Sequence, residues 1–144
     1  MRPWRRWGVY RVNIVGHSME PTHASGRTLW VTGLPYYFTN PARGDIVVFQ
    51  SPASQDHIEL KRIIGLPNDT VVWAQGGRMQ VNAIWLKERY VCLPSAPPGD
   101  EDVSSCVVGP RHYFVVGDNR LHSQDSRQYG PISREAILGT VVGG

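Results

Sequence analysis

Ile58-Glu59-Leu60-Lys61-Arg62-Ile63-Ile64-Gly65 is too short and too rich in branched apolar residues for an amphipathic helix, and it reads as a strand. Alternation places Ile58, Leu60, Arg62 and Ile64 on one face and Glu59, Lys61 and Ile63 on the other. Lys61 therefore projects from mid-strand in apolar company, where an ammonium is costly and the neutral amine is favoured. The ordinary alternative is a lysine that snorkels its head out of the sheet.

Similar runs lie on both sides. Gly8 to Val15 and Thr28 to Thr32 read as strands, and Ile46-Val47-Val48-Phe49 is a continuous apolar run suited to a strand covered on both faces. Thr70 to Trp73 is another strand. Met79 to Val81 and Ile84 to Leu86 form the arms of a hairpin tipped by Asn82-Ala83. His112 to Val116 follows, and Arg134 to Val142 reads as a short helical turn with a closing strand. The aromatics of Tyr36, Tyr37 and Phe38, in a loop, are either a satellite of the core or a contact surface. Fifteen Gly and eleven Pro in 144 residues fit short strands and turns rather than a helix bundle. The fold class is mainly β: one domain of mostly antiparallel strands over residues 9–144, preceded by a basic, aromatic segment at 1–8. Residues 87–110, rich in Pro and carrying Asp100, Glu101 and Asp102, read as an extended irregular surface excursion.

Composition excludes some classes. A chain that is 41% hydrophobic and 19% charged, with a net charge of +3, is an ordinary globular domain. No stretch of about 18 apolar residues is present to span a bilayer, and no apolar h-region follows the N-terminal charges as in a signal peptide. Arg2, Arg5, Arg6 and Arg11, interleaved with Trp4 and Trp7, suit a phospholipid interface, a nucleic-acid backbone or a solvated tail. Cys92 and Cys106 are too few for a zinc site. They either form a disulfide, worth roughly 3 kcal/mol in the chain-entropy picture, or remain two buried thiols.

A candidate nucleophile stands at Gly16-His17-Ser18-Met19-Glu20-Pro21-Thr22, where an apolar strand meets a proline and leaves Ser18 at a corner. Serine in a turn is ordinary, so its reading depends on a base. His17 is adjacent and points elsewhere, while His23, His57, His112 and His122 lie in polar surroundings without a pattern. Lys61, neutralised by burial, is the other base available. A hydroxyl from Ser123 or Ser126 would orient its amine.

Together these residues resemble the type I signal peptidases, the serine/lysine leader peptidases of membranes. Four motifs occur in order: Ser18 to Thr22, Arg43 to Phe49, Lys61 to Pro67 with Asp69, and Gly117-Asp118-Asn119-Arg120 through Ser123, Asp125, Ser126 and Arg127. The resemblance implies that Ser18 is the nucleophile, Lys61 the general base and then general acid, and Ser123 the hydroxyl that holds the amine. It implies shallow sites for small residues lined by Val12, Ile14 and Val15, and support from Gly16, Arg62, Asp118, Arg120 and an Asp125–Arg127 ion pair. The Ser18 N–H would donate to the oxyanion. The implied partners are the extended signal-peptide segment of precursor proteins, bound as an added strand, and a membrane surface on the extracytoplasmic side. Nucleic acid, metal and cofactor are not among them. Gly16 departs from members with a serine there, and His23 replaces an apolar residue common after the Pro-Thr pair. Two other classes share features with this one: self-cleaving repressor-type Ser/Lys peptidases, and non-catalytic peptide-binding or assembly homologues.

Overall fold

The computed structural model describes residues 8–53, 56–91 and 103–142. Eleven strands form in these segments: β1 Val9–Asn13, β2 Thr28–Thr32, β3 Ile46–Gln50, β4 Ile58–Gly65, β5 Thr70–Ala74, β6 Met79–Val81, β7 Ile84–Trp85, β8 Val103–Val107, β9 His112–Val116, β10 Ile132–Ser133 and β11 Ile137–Val141. One sheet runs β1-β2-β11-β3-β4-β9-β10 and the other β7-β6-β5-β8. Every pairing is antiparallel, as expected for a mainly β chain.

The core divides in three because β4 sits between unlike neighbours. Ile63 packs with Val47, Phe49, Tyr113, Val115, Ile132 and Ile137 on one face of the large sheet. Ile64 packs on the other face with Val71, Met79, Val81 and Phe114, which joins the two sheets. Leu60 lies against Val31, Val48 and Leu138, with Val12 of β1 close by. A register shift between Ile63 and Gly65 against β9 lets consecutive residues serve both cores.

Two sequence expectations change. Val103–Val107 is not irregular: it pairs along its length with β5, from Val107 opposite Thr70 to Val103 opposite Ala74. The excursion is therefore partly a sheet edge. Glu88, also assigned to the excursion, has a buried side chain against Arg120, because a buried guanidinium needs a carboxylate. The run after β9 holds a 3-10 turn at Arg120–His122 and a helix, α1, at Ser126–Tyr129.

The remaining expectations divide. The hairpin tip is as read, with Asn82 and Ala83 both at positive φ, the geometry of a type I′ turn. Tyr36 packs on the core, whereas Tyr37 and Phe38 are exposed. Residues 1–7, Cys92, the prolines at 94, 97 and 98, and the acidic residues 100–102 lie outside the described residues; Cys106 is a free, half-buried thiol.

Candidate active site

The Ser18 corner is held from two directions. Asn119 N–H donates to the Ser18 carbonyl at 2.8 Å, and the Asn119 side chain donates to the His17 carbonyl at 3.0 Å. The loop after β9 thus grips the turn after β1 across a hundred residues of sequence. Gly117 makes the approach possible: a Cβ there would stand 2.6 Å from the Ser18 carbonyl oxygen and 2.2 Å from Ser123 Oγ, distances no side chain tolerates.

Lys61 reaches this corner from mid-β4. Its Nζ donates to Ser18 Oγ at 2.7 Å, inside the range that proton transfer requires. The residue is only 5% exposed. Burial pushes its amine below the usual lysine range, Glu59 and Asp125 push it back up, and Arg127 pushes it down; the net direction is down. A hydroxyl beside such an amine is what nucleophilic activation needs.

Ser123, which the resemblance sets against the Lys61 amine, packs at Gly117 beside the Ser18 carbonyl and is bonded elsewhere. Its hydroxyl donates to Asp125 Oδ2 at 2.7 Å, leaving its oxygen lone pairs free to accept. Ser126, the other serine considered, is buried and accepts from the Val115 N–H, so it fastens α1 to β9. Asp125 also receives the Gly117 N–H at 3.0 Å and both Nε and Nη2 of Arg127. Burial raises the Asp125 carboxyl, but the bonds and charge of Arg127, with Ser123 and Gly117, outweigh it and hold the group below the ordinary carboxylate range.

Beneath the dyad the other arginines are paired. Arg62 grips Asp118 through Nε at 2.9 Å and Nη2 at 2.8 Å, a bidentate geometry, and Thr22 donates to the same carboxylate. Arg120 pairs with Glu88 and donates to the carbonyls of Gly117 and Gly77. Arg62 also lies over the Tyr90 ring at 3.8 Å. Asp118, Arg120, Asp125 and Arg127 are thus brought together by ion pairs. Sequence reading missed Glu88, Tyr90, Asn119 and Thr22 as partners, and isolated polar residues carry no periodic signal that would reveal them.

A groove of about 620 Å3 opens over the dyad. Arg11 to Val15 form one wall, Ile58 to Lys61 the other, and Val48 lies between. Strand order separates β1 from β4 by three strands, so the sheet must curl for their ends to face each other. Val12, Ile14 and Val15 all line it, Ile14 buried and Val15 94% exposed. Gly16 adopts φ +92° with open space around its Cα, and its N–H donates to Ser25 Oγ.

A hydroxyl bonded to a desolvated amine, open to an extended groove on an antiparallel sheet, is the arrangement of a serine-type hydrolase. Comparison with known proteins makes this specific. The family described as signal peptidase, peptidase S26, matches residues 6–143. Signal peptidase I V of Bacillus subtilis (strain 168) is 37% identical over 139 residues, covering 89% of this chain and 80% of the relative. Signal peptidase I of Leptolyngbya laminosa is 37% identical over 136 residues, and the match spans 90% of this chain but 64% of that protein. A crystal structure of a signal peptidase I from Enterococcus faecalis V583 superposes with TM-score 0.59 at 30% identity, covering 71% of this chain and 97% of that one. The chain belongs to the signal peptidase family S26 and is a serine-type endopeptidase.

Proposed function

We propose that this protein removes signal peptides from precursor proteins, with Ser18 and Lys61 as its catalytic dyad. The observation that carries the reading is the 2.7 Å contact between Lys61 Nζ and Ser18 Oγ at the floor of the groove. The precursor lies extended between β1 and β4, completing the gap between their edges with backbone hydrogen bonds. Val12, Ile14 and Val15 leave room for small side chains ahead of the scissile bond.

Neutral Lys61 takes the Ser18 proton as Oγ attacks the carbonyl, and the resulting oxyanion faces the Ser18 N–H. The ammonium then gives that proton to the leaving amine as the C–N bond breaks. Water, deprotonated in turn by Lys61, cleaves the acyl-serine ester and restores the hydroxyl. Ser123 stays bonded to Asp125, whose charge acts on the Lys61 amine. The supporting arginines hold the two loops in register. No metal or cofactor takes part.

The domain works at a membrane surface on the extracytoplasmic side. The N-terminal Arg/Trp composition supports this, and Arg11 over the exposed Trp30 at 5.9 Å continues that pattern into the fold. Among the described residues no helix is long and apolar enough to cross a membrane. The division into a segment at 1–8 and a catalytic domain at 9–144 belongs to the same proposal.

Cleavage of a precursor bearing an Ala-X-Ala site tests the dyad. Ser18→Ala and Lys61→Met each lower kcat by about 10⁴-fold or more in folded protein. Undiminished cleavage by either variant contradicts the proposal.

A further inference from the structure

The groove holds a carboxylate that Ser/Lys chemistry does not itself require. Glu59 stands two residues before Lys61 on the same face of β4, and its Oε1 lies 4.0 Å from Lys61 Nζ. That is beyond a hydrogen bond but within strong Coulombic reach at a partly desolvated site. The Glu59 side chain is 21% exposed and lines the groove together with Ser18 and Lys61.

Tyr129 of α1 fixes the carboxylate, donating its hydroxyl to Glu59 Oε1 at 3.4 Å. Burial raises the Tyr129 phenol far above its ordinary range, and the Glu59 charge adds to the rise, so the phenol remains a donor. The other charges acting on the amine are Asp125 and Arg127. They form an ion pair with each other and largely cancel. Arg11, Asp56 and His57 also line the groove. Glu59 differs from all of these: among the described residues its ion-pair partner is Lys61 itself.

We infer that Glu59 is a positioning residue that sets the pH at which Lys61 becomes a base, its negative charge holding the proton on the amine to higher pH than burial alone would. Glu59 takes no proton in the reaction, which still runs from Ser18 Oγ to Lys61 Nζ to the leaving nitrogen. Its charge stabilises the ammonium formed on attack, and so the two halves of the proton transfer are affected in opposite directions. This assignment rests on the Ser18/Lys61 reading and deepens it.

The pH dependence of kcat/KM on an Ala-X-Ala precursor peptide tests the assignment, with wild type, Glu59→Gln and Glu59→Asp. Glu59→Gln keeps an acceptor for Tyr129 but loses the charge. Its acid limb moves to lower pH, raising the rate on the lower part of the wild-type limb several-fold, and Glu59→Asp moves it back toward wild type. Should glutamine disturb the sheet, Glu59→Thr, a good strand residue, gives the same shift. A limb that stays in place or moves to higher pH, or a uniform fall in rate at all pH, overturns the role of Glu59. A wild-type profile with no acid limb overturns the dyad instead, so the two failures are distinct.

Discussion

Lys61 and Arg120 are both buried cations of the same small domain, and the fold surrounds them differently. Arg120 has Glu88 and two carbonyls, so its charge is compensated wherever it is desolvated. Lys61 has one hydroxyl at 2.7 Å and a carboxylate at 4.0 Å, too little to replace lost hydration. The first arrangement fixes a charged state and holds loops in place. The second leaves the protonation state open, which a group that must take and return a proton needs. Arg62 with Asp118 and Arg127 with Asp125 belong with Arg120, forming a closely paired set beside the loosely paired lysine.

Removing the partner of Arg120 breaks this contrast most forcefully. Glu88→Ala leaves a guanidinium buried without its anion and lowers the unfolding free energy by about 3–5 kcal/mol, read from urea denaturation. A loss well under 1 kcal/mol would mean that Arg120 finds water or another partner at once. Lys61→Met has the opposite sign. It replaces a poorly compensated amine with an apolar chain, so it leaves stability unchanged or raises it by about 1 kcal/mol while abolishing cleavage. Clear destabilisation would show that the amine is a structural cation like Arg120.

His23 sharpens the comparison at a smaller scale. It is buried, and among the described residues neither ring nitrogen has a hydrogen-bond partner. Burial, then the charges of Arg27 and Arg62 against Asp118, holds its imidazole below the usual histidine range. The unfolded chain therefore binds a proton first as pH falls, and the folded state loses stability from about pH 6.5, the ordinary value, down to the lowered one. His23→Leu gains about 1 kcal/mol from removing the unpaired group, and its advantage over wild type grows on acidification. Paired thermal melts at mildly alkaline and acidic pH check this; an advantage that shrinks on acidification contradicts it.

Much of this arrangement was legible in the residues. β2, β4 and β9 fall where alternation and β-branched runs place them, and the facing of Lys61 with Glu59 follows from the period of two. The structure also sets Asp125 against Arg127 and Lys61 against Ser18, juxtapositions that the family resemblance implied rather than the residue pattern. β8 was not legible, because Val103-Ser104-Ser105-Cys106-Val107 is weakly apolar and follows a Pro-rich stretch; only its pairing with β5 makes it a strand. Glu88 and Asn119 were not legible for a related reason. Their roles depend on which backbone or charge tertiary folding brings beside them, and local sequence carries no record of that choice. Ser123 stands between these cases: its place beside the dyad was expected, its bond to Asp125 was not.

The central claim is that burial beside Ser18 lowers the Lys61 amine below the ordinary lysine range. The chain contains two lysines, Lys61 and the exposed Lys87, so an NMR titration of lysine side chains labelled with carbon-13 resolves both, with Lys61→Met giving the assignment. The account predicts that Lys61 titrates clearly below the ordinary lysine value of about 10.4. A Lys61 titration at or above the ordinary value would contradict the account.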